Sequence, residues 1–308
     1  MTAENLVEHV RDLVSDIVRL DNQYGGNCAA RVAVPAFRSL RGRQLVDARD
    51  CVPDRDVLRA EAELAEVTGW ALFDAGRHGS ALRISAEALR RSRLAEHRQM
   101  EFLVLQNQSA QASHLGWARV ASSIAEEALA LGPVSARMES LFLVRLAHGL
   151  ALSGQNHASI RTLRRAGLKF GDGLAEADPS WLWWFDEREL QWHEARCRGA
   201  LGDWGPAAEL YYEAASAPEE MSPRDAYLYL SSLCHALVAA TSLHEAATIA
   251  ERLQPYADRC CSDQVLTELR ASAAATSTLR PTPVQRRLED ALRQLVPADR
   301  ARLCGRDA

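Results

Sequence analysis

The segment His193-Glu194-Ala195-Arg196-Cys197 sets an imidazole beside a carboxylate, and Asp186 and Glu187 precede it within two helical turns. Such groups could move protons at a substrate or hold a metal ion. The segment lacks the second histidine of a zinc-protease helix, however, and the spacing positions no other ligand near it. It is expected to be an exposed, solvated helical face. Serine, histidine and aspartate all occur, but no Gly-x-Ser-x-Gly elbow presents a nucleophile. Gly25-Gly26 and Gly171-Asp172-Gly173 lack the context of a phosphate-cradling loop and read as turns. The seven cysteines (Cys28, Cys51, Cys197, Cys234, Cys260, Cys261, Cys304) are odd in number and form no Cys-x-x-Cys pair. They are expected to be reduced, mostly buried, and not to bind metal. No catalytic centre is visible, so the chain is expected to be no enzyme and to need no cofactor or metal.

Binding chemistry has more to work with. Trp181, Trp183, Trp184, Phe185 and Trp192 form the densest aromatic run. Tryptophan is favoured at binding hot spots, but the helical spacing of Trp181, Trp184 and Phe185 favours a core. The pairs Arg90-Arg91, Arg164-Arg165 and Arg286-Arg287 sit among acids or alanines and read as solvated faces.

The elements that must position these side chains follow from a repeat. Gly76/Ala81/Ala88, Gly116/Ala121/Ala128, Gly154/Ser159/Ala166, Gly202/Ala207/Ala214 and, more weakly, Thr241/Ala246/Leu253 share one internal spacing, five residues and then seven. A first member in the turn between helices A and B, and two small residues seven apart on one face of helix B, make a helical hairpin. Twelve residues before each middle member comes another small residue, Gly69, Ser109, Ala147, Ala195 or Cys234, where helix A should meet helix B most closely. The expected A helices are 55–75, 97–115, 135–153, 183–201 and 224–241. The expected B helices are 78–93, 118–131, 157–168, 205–217 and 243–254. Amphipathic helices are expected at 5–20, 28–45 (containing Pro35), 263–275 and 284–295, and Asp54 is a candidate N-cap. The fold class is all-α, a tetratricopeptide-like α-solenoid of about five hairpins with an N-terminal helical cap. Its organisation is an N-terminal segment 1–50, a repeat array 51–275 and a C-terminal helix and tail 276–308.

In such arrays the A helices line the concave face. Their inward positions collect Glu63, Glu66, Trp70, Phe73, Gln106, His148, Trp192, Arg196 and His235, the candidate ligand- or partner-binding set. Aromatic anchors with carboxylates and an arginine could hold a peptide, a small effector or a partner protein.

Composition narrows the class. Hydrophobic residues make up 47% and aromatics only 6%, a helical composition, and the net charge of −5 argues against a bare nucleic-acid-binding surface. No apolar run is long enough to span a membrane and no signal peptide opens the chain, so a cytoplasmic location is expected. The stretches LDNQYGGNCAARVAVPAFRSL, GWALFDAGRHGSALR, SAQASHLGWARVASSIAEEALAL and WLWWFDERELQWHEARCRGALGD, in that order over residues 5–260, resemble the region after the DNA-binding domain in actinobacterial helix-turn-helix transcriptional regulators. The single lysine among many arginines suits a GC-rich genome of that kind. The resemblance implies a regulatory sensor or interaction module. A DNA-binding domain would precede Leu6 in that family and none does here, so this chain alone is expected to make no direct nucleic-acid contact. The alternative is a structural adaptor without a small ligand, which scaffolds other proteins through the groove or pairs as a homodimer through an exposed stripe of Leu6, Val10, Leu13 and Ile17.

Overall fold

The computed structural model describes residues 3–47, 54–132, 134–171, 175–176 and 178–296. Among them are α1 (Ala3–Tyr24), α2 (Gly26–Asp47), α3 (Arg55–Asp74), α4 (His78–Leu94), α5 (Arg98–His114), α6 (Ala118–Ala130), α7 (Ala136–Leu152) and α8 (Asn156–Phe170). There follow α9 (Glu187–Ala200), α10 (Trp204–Ala214), α11 (Pro223–Ala239), α12 (Leu243–Arg252), α13 (Gln254–Ala257), α14 (Asp263–Ser277) and α15 (Pro283–Leu295). No strand occurs among the described residues. The expected hairpins are α3/α4, α5/α6, α7/α8, α9/α10 and α11/α12, and α14/α15 add another at the end. Residues 48–53, between α2 and α3, and the tail beyond Val296 lie outside the described residues.

One turn closes all five repeats. Gly76, Gly116, Gly154, Gly202 and Thr241 adopt φ of 72°, 74°, 71°, 86° and 63°. In each, the next residue's N–H donates to the carbonyl five residues back: Arg77 to Leu72, Trp117 to Ala112, Gln155 to Leu150, Asp203 to Arg198, and Ser242 to Leu237. This is a Schellman closure, which satisfies carbonyls that would otherwise be orphaned at the end of helix A.

The small residues meet where their spacing places them. Ser109 Oγ donates to the Ala121 carbonyl at 2.9 Å, Ser159 Oγ to that of Ala147 at 2.8 Å, and Cys234 Sγ to that of Ala246 at 3.7 Å. A Cβ on Gly69 would come within 2.7 Å of Ser85 Oγ. These contacts fix the A/B register copy by copy. Four of the five A helices open on a side-chain cap, Asp54, Ser135, Asp186 and Ser222, each accepting from a backbone N–H in the first turn.

Pro35 lies in the interior of α2, and three sequence expectations change. Val10 and Ile17 are buried and Leu6 and Leu13 pack on the same cluster as α2 and α3. The stripe on α1 therefore faces the core and is not an exposed dimer surface. Arg91 is buried in an ion pair with Glu61 and bonds Glu87 as well, so Arg90-Arg91 is not wholly a solvated face. Cys261 is disulfide-bonded, so the cysteines are not all reduced. The insert after α8 folds into a short 3-10 helix, Ser180–Trp184, where Leu182 and the following Phe185 are fully buried and Trp183 is exposed. Trp181 Nε1 donates to the Gln99 carbonyl, which ties the insert to the start of α5.

Neighbouring A helices α3, α5, α7 and α9 touch one another, whereas α4, α6, α8 and α10 each pack on their own A helix and on the next, and α12 packs on α11 and α15. The A helices are thus the inner layer. The array then returns on itself: α11 packs against α1, and α14 against α3.

Candidate functional site

Where the array closes, Arg224 of α11 enters between α1 and α3. Its guanidinium lies 3.2 Å from Asp74, 3.5 Å from Asp21 and 3.2 Å from Asp225, and 5.5 Å from the centre of the Trp70 ring. Asp74 also accepts from the Gly26 N–H (2.9 Å), Ser262 Oγ (2.7 Å) and Gln264 Nε2 (3.2 Å). One cation therefore serves two fully enclosed carboxylates, and Asp74 holds the better share. Burial pushes the Asp74 carboxyl up, but Arg224 and the donated hydrogen bonds outweigh it and hold the pKa below the usual value. Asp21 has less support: burial, opposed by Arg224, raises its pKa to about 7, and its Oδ1 has no partner.

A second polar chain runs along the inner layer. Asn107 donates to Glu66, Gln106 Nε2 donates to Asn107 Oδ1, and Arg145 Nη2 donates to Gln106 Oε1 at 2.9 Å. Arg145 continues electrostatically to Glu189 and Arg196 on α9. Glu189 accepts from Tyr229 and lies 3.3 Å from His193 Nε2. Arg196 sits over the Trp192 ring at 4.8 Å, and Trp192 stacks on Tyr229 at 5.7 Å. Trp192 Nε1 donates to Ser232, and Ser231 and Ser232 both donate to Glu268 of α14.

Enclosure sets the charge state of this wall. Burial raises Glu66 to about 7 against the Asn107 hydrogen bond, and raises Glu189 against its Tyr229 bond. Burial lowers Arg145 to about 10. Burial, reinforced by Arg196 and Arg145, holds His148 and His193 well below the usual histidine value, so both are neutral near pH 7. The middle of the wall has two arginines facing acids whose charge is disfavoured. It is a positively biased, poorly hydrated surface.

Of the candidate set, Glu66, Gln106, His148, Trp192 and Arg196 come together on this wall. Trp70 stands at the closure instead, with its ring against the Arg224 guanidinium. Glu63 lies on α3 toward α1, where burial raises its pKa against the attraction of Arg11. His235 is apart, with Nδ1 3.1 Å from Ser272 Oγ and its ring edge-on to Trp204 at 5.2 Å. Phe73 is buried in the core beside His78 and His114. The concave groove is largely closed by its own side chains. His193 is 3% exposed and packs against Trp192 and Phe185, which corrects the reading of its segment as a solvated face.

Sequence reasoning missed Asp21, Asp74, Asn107, Arg145, Glu189, Arg224, Tyr229 and Glu268. Arg145 and Glu189 had a usable signal, since each lies three residues before a candidate, His148 and Trp192 respectively, on the same helical face. Asp21, Asp74 and Arg224 had none. They meet only because distant parts of the chain close together.

No protein-family model matches the chain, and no curated protein matches it. Among solved structures it is similar to a Rap protein complexed with competence and sporulation factor, with 14% identity over 94% of this chain and 99% of that chain, at a TM-score of 0.51. That likeness shows the fold, a tetratricopeptide-like α-solenoid.

Proposed function

We propose that the chain is a regulatory binding module whose inner wall receives a carboxylate-bearing peptide or small effector. The observation that carries this is Arg145. It is buried on the inner wall, donates to Gln106 Oε1, and leaves its Nε without a partner. A guanidinium has five donors, and a buried one is stabilised by an anion that takes two of them side by side. Arg196, set on Trp192, offers a second cation beside an apolar plate. A terminal or side-chain carboxylate with a neighbouring apolar group fits that pair. The solved Rap structure of like fold holds competence and sporulation factor, which supports a binding role for this architecture. The resemblance to transcriptional regulators supports a regulatory output, and the organisation 1–50, 51–275 and 276–308 belongs to the same reading. A partner protein engaging this wall would change how tightly the array closes.

The test is a random peptide library with free C-termini, panned on the full chain and re-tested against Arg145→Gln and Arg196→Gln. Enriched peptides that share a carboxylate and lose roughly tenfold or more in affinity on either substitution support the reading. Binding untouched by both substitutions, or no enrichment, overturns it.

A further inference from the structure

Away from that wall, His78, His114 and Asp263 converge from three hairpins. His78 is the first residue of α4, His114 the last of α5 and Asp263 the first of α14. His78 Nε2 lies 3.1 Å and His114 Nε2 3.5 Å from the same oxygen, Asp263 Oδ2, and the three donor atoms all lie within 4.8 Å of one another. A tetrahedral zinc ion with bonds of about 2.0–2.1 Å sets its ligand atoms roughly 3.3 Å apart, so two of the three separations already match.

The surroundings hold these groups in place. Phe73 packs against both imidazoles, edge-on to His114 at 5.2 Å and tilted to His78 at 5.6 Å. Asp263 is flanked by Ser262 and Gln264, both bound to Asp74, so its backbone is anchored on either side. Gly76, at φ 72°, lets the carboxylate come close; a Cβ there would stand 3.0 Å from Asp263 Oδ1. All three side chains are part-exposed, at 26%, 12% and 23% for His78, His114 and Asp263, which leaves room for water as a fourth ligand. Two imidazoles and one carboxylate suit zinc and its first-row neighbours, not calcium or magnesium, which prefer all-oxygen sites.

We infer that His78, His114 and Asp263 form a binding site for a divalent transition-metal ion that fastens α14 to the first two repeats. Bound there, the ion bridges the end of the array to its beginning. It adds to the Arg224 closure a link that depends on metal supply.

The experiment is isothermal titration of zinc chloride into chelator-stripped full chain, with X-ray absorption at the zinc edge on the loaded protein. Expected are one ion per chain, a coordination shell of nitrogen and oxygen showing imidazole scattering, and a raised Tm. His114→Gln and Asp263→Asn should each weaken binding roughly tenfold or more, while His157→Gln, on the exposed face of α8, should not. No saturable binding, or zinc binding equally strong in His114→Gln, overturns the inference. So does a sulfur shell in the wild-type spectrum, which would assign the ion to cysteine and needs no variant to fold.

Discussion

Glu66 shows how one enclosed side chain makes the fold sensitive to pH. Its carboxyl is raised to about 7 by burial, from an ordinary value of 4.5, with only Asn107 to favour its charged form. A carboxyl whose pKa is higher in the folded chain than in the unfolded one contributes stability that is full below the unfolded value. That contribution is lost as pH rises through the folded value. Between about pH 4.5 and 7 the folded state holds the proton and the unfolded state has released it, so this contribution falls as the solution becomes more alkaline. Asp21, raised to about 7, acts in the same direction. His148 and His193 oppose both, because their depressed values favour the folded state as pH rises through the unfolded histidine range. A difference between variants isolates one group from these opposing trends. Glu66→Gln keeps a partner for Asn107 and cannot ionise. It should therefore gain on wild type by an amount on the order of 3 kcal/mol between pH 5 and pH 8, measured by urea unfolding at each pH. A difference that stays flat over that range would show that Glu66 ionises normally.

At the scale of the helical hairpin, backbone conformation decides. The turn needs a left-handed residue after each A helix, and four copies supply glycine where the fifth supplies Thr241 at φ 63°. A β-branched residue there is strained, by about 1–3 kcal/mol. Thr241→Gly should raise unfolding stability by roughly 1 kcal/mol, less than the full strain because glycine also frees the unfolded chain. Gly116→Ala should lower it by a similar amount, although a Cβ on Gly116 would meet nothing within 4 Å. Thermal melts of the two variants check both signs, and a loss in Thr241→Gly would mean that the threonine side chain contributes contacts outweighing its strain. The same turn explains what was legible in the sequence. The five-then-seven spacing encodes contacts within a hairpin, as the Ser109 to Ala121 bond does, and local contacts leave a fixed interval in the chain. Glu66, Gln106, His148, Trp192 and Arg196 could be placed on one wall because each inherits that interval. His193 could not be placed inside, since the closeness of Phe185 depends on how the segment before α9 folds back.

Across the whole molecule, closure turns a groove into an interior, and it depends on pairs that sequence spacing cannot encode. Asp74 and Arg224 are 150 residues apart, and Ser262 and Gln264 reach the same carboxylate from farther still. Cys260 Sγ donates to the Gln23 carbonyl and the Cys261 N–H to that of Tyr24, so the approach to α14 is also held against the α1/α2 turn. A solenoid is otherwise built from neighbour contacts, and its hairpins can shift by small rotations at little cost. Arg224 joins α11 to both α1 and α3 through charge. Arg224→Met preserves much of the apolar stem but leaves Asp74 and Asp21 enclosed without their cation, which should lower stability by roughly 3–5 kcal/mol. The substitution should also open the array before it unfolds it. Amide exchange should speed up first at the N-termini of α11 and α14 and at the end of α1, the radius of gyration from solution scattering should increase, and α6 and α8 should remain protected. Asp74→Asn in the same chain removes the stranded charge and should recover part of the stability without restoring the compact scattering curve. Uniform acceleration of exchange through every hairpin would instead mean that closure and the hairpins unfold as one unit, and that the inner wall is never exposed to a ligand in the folded protein.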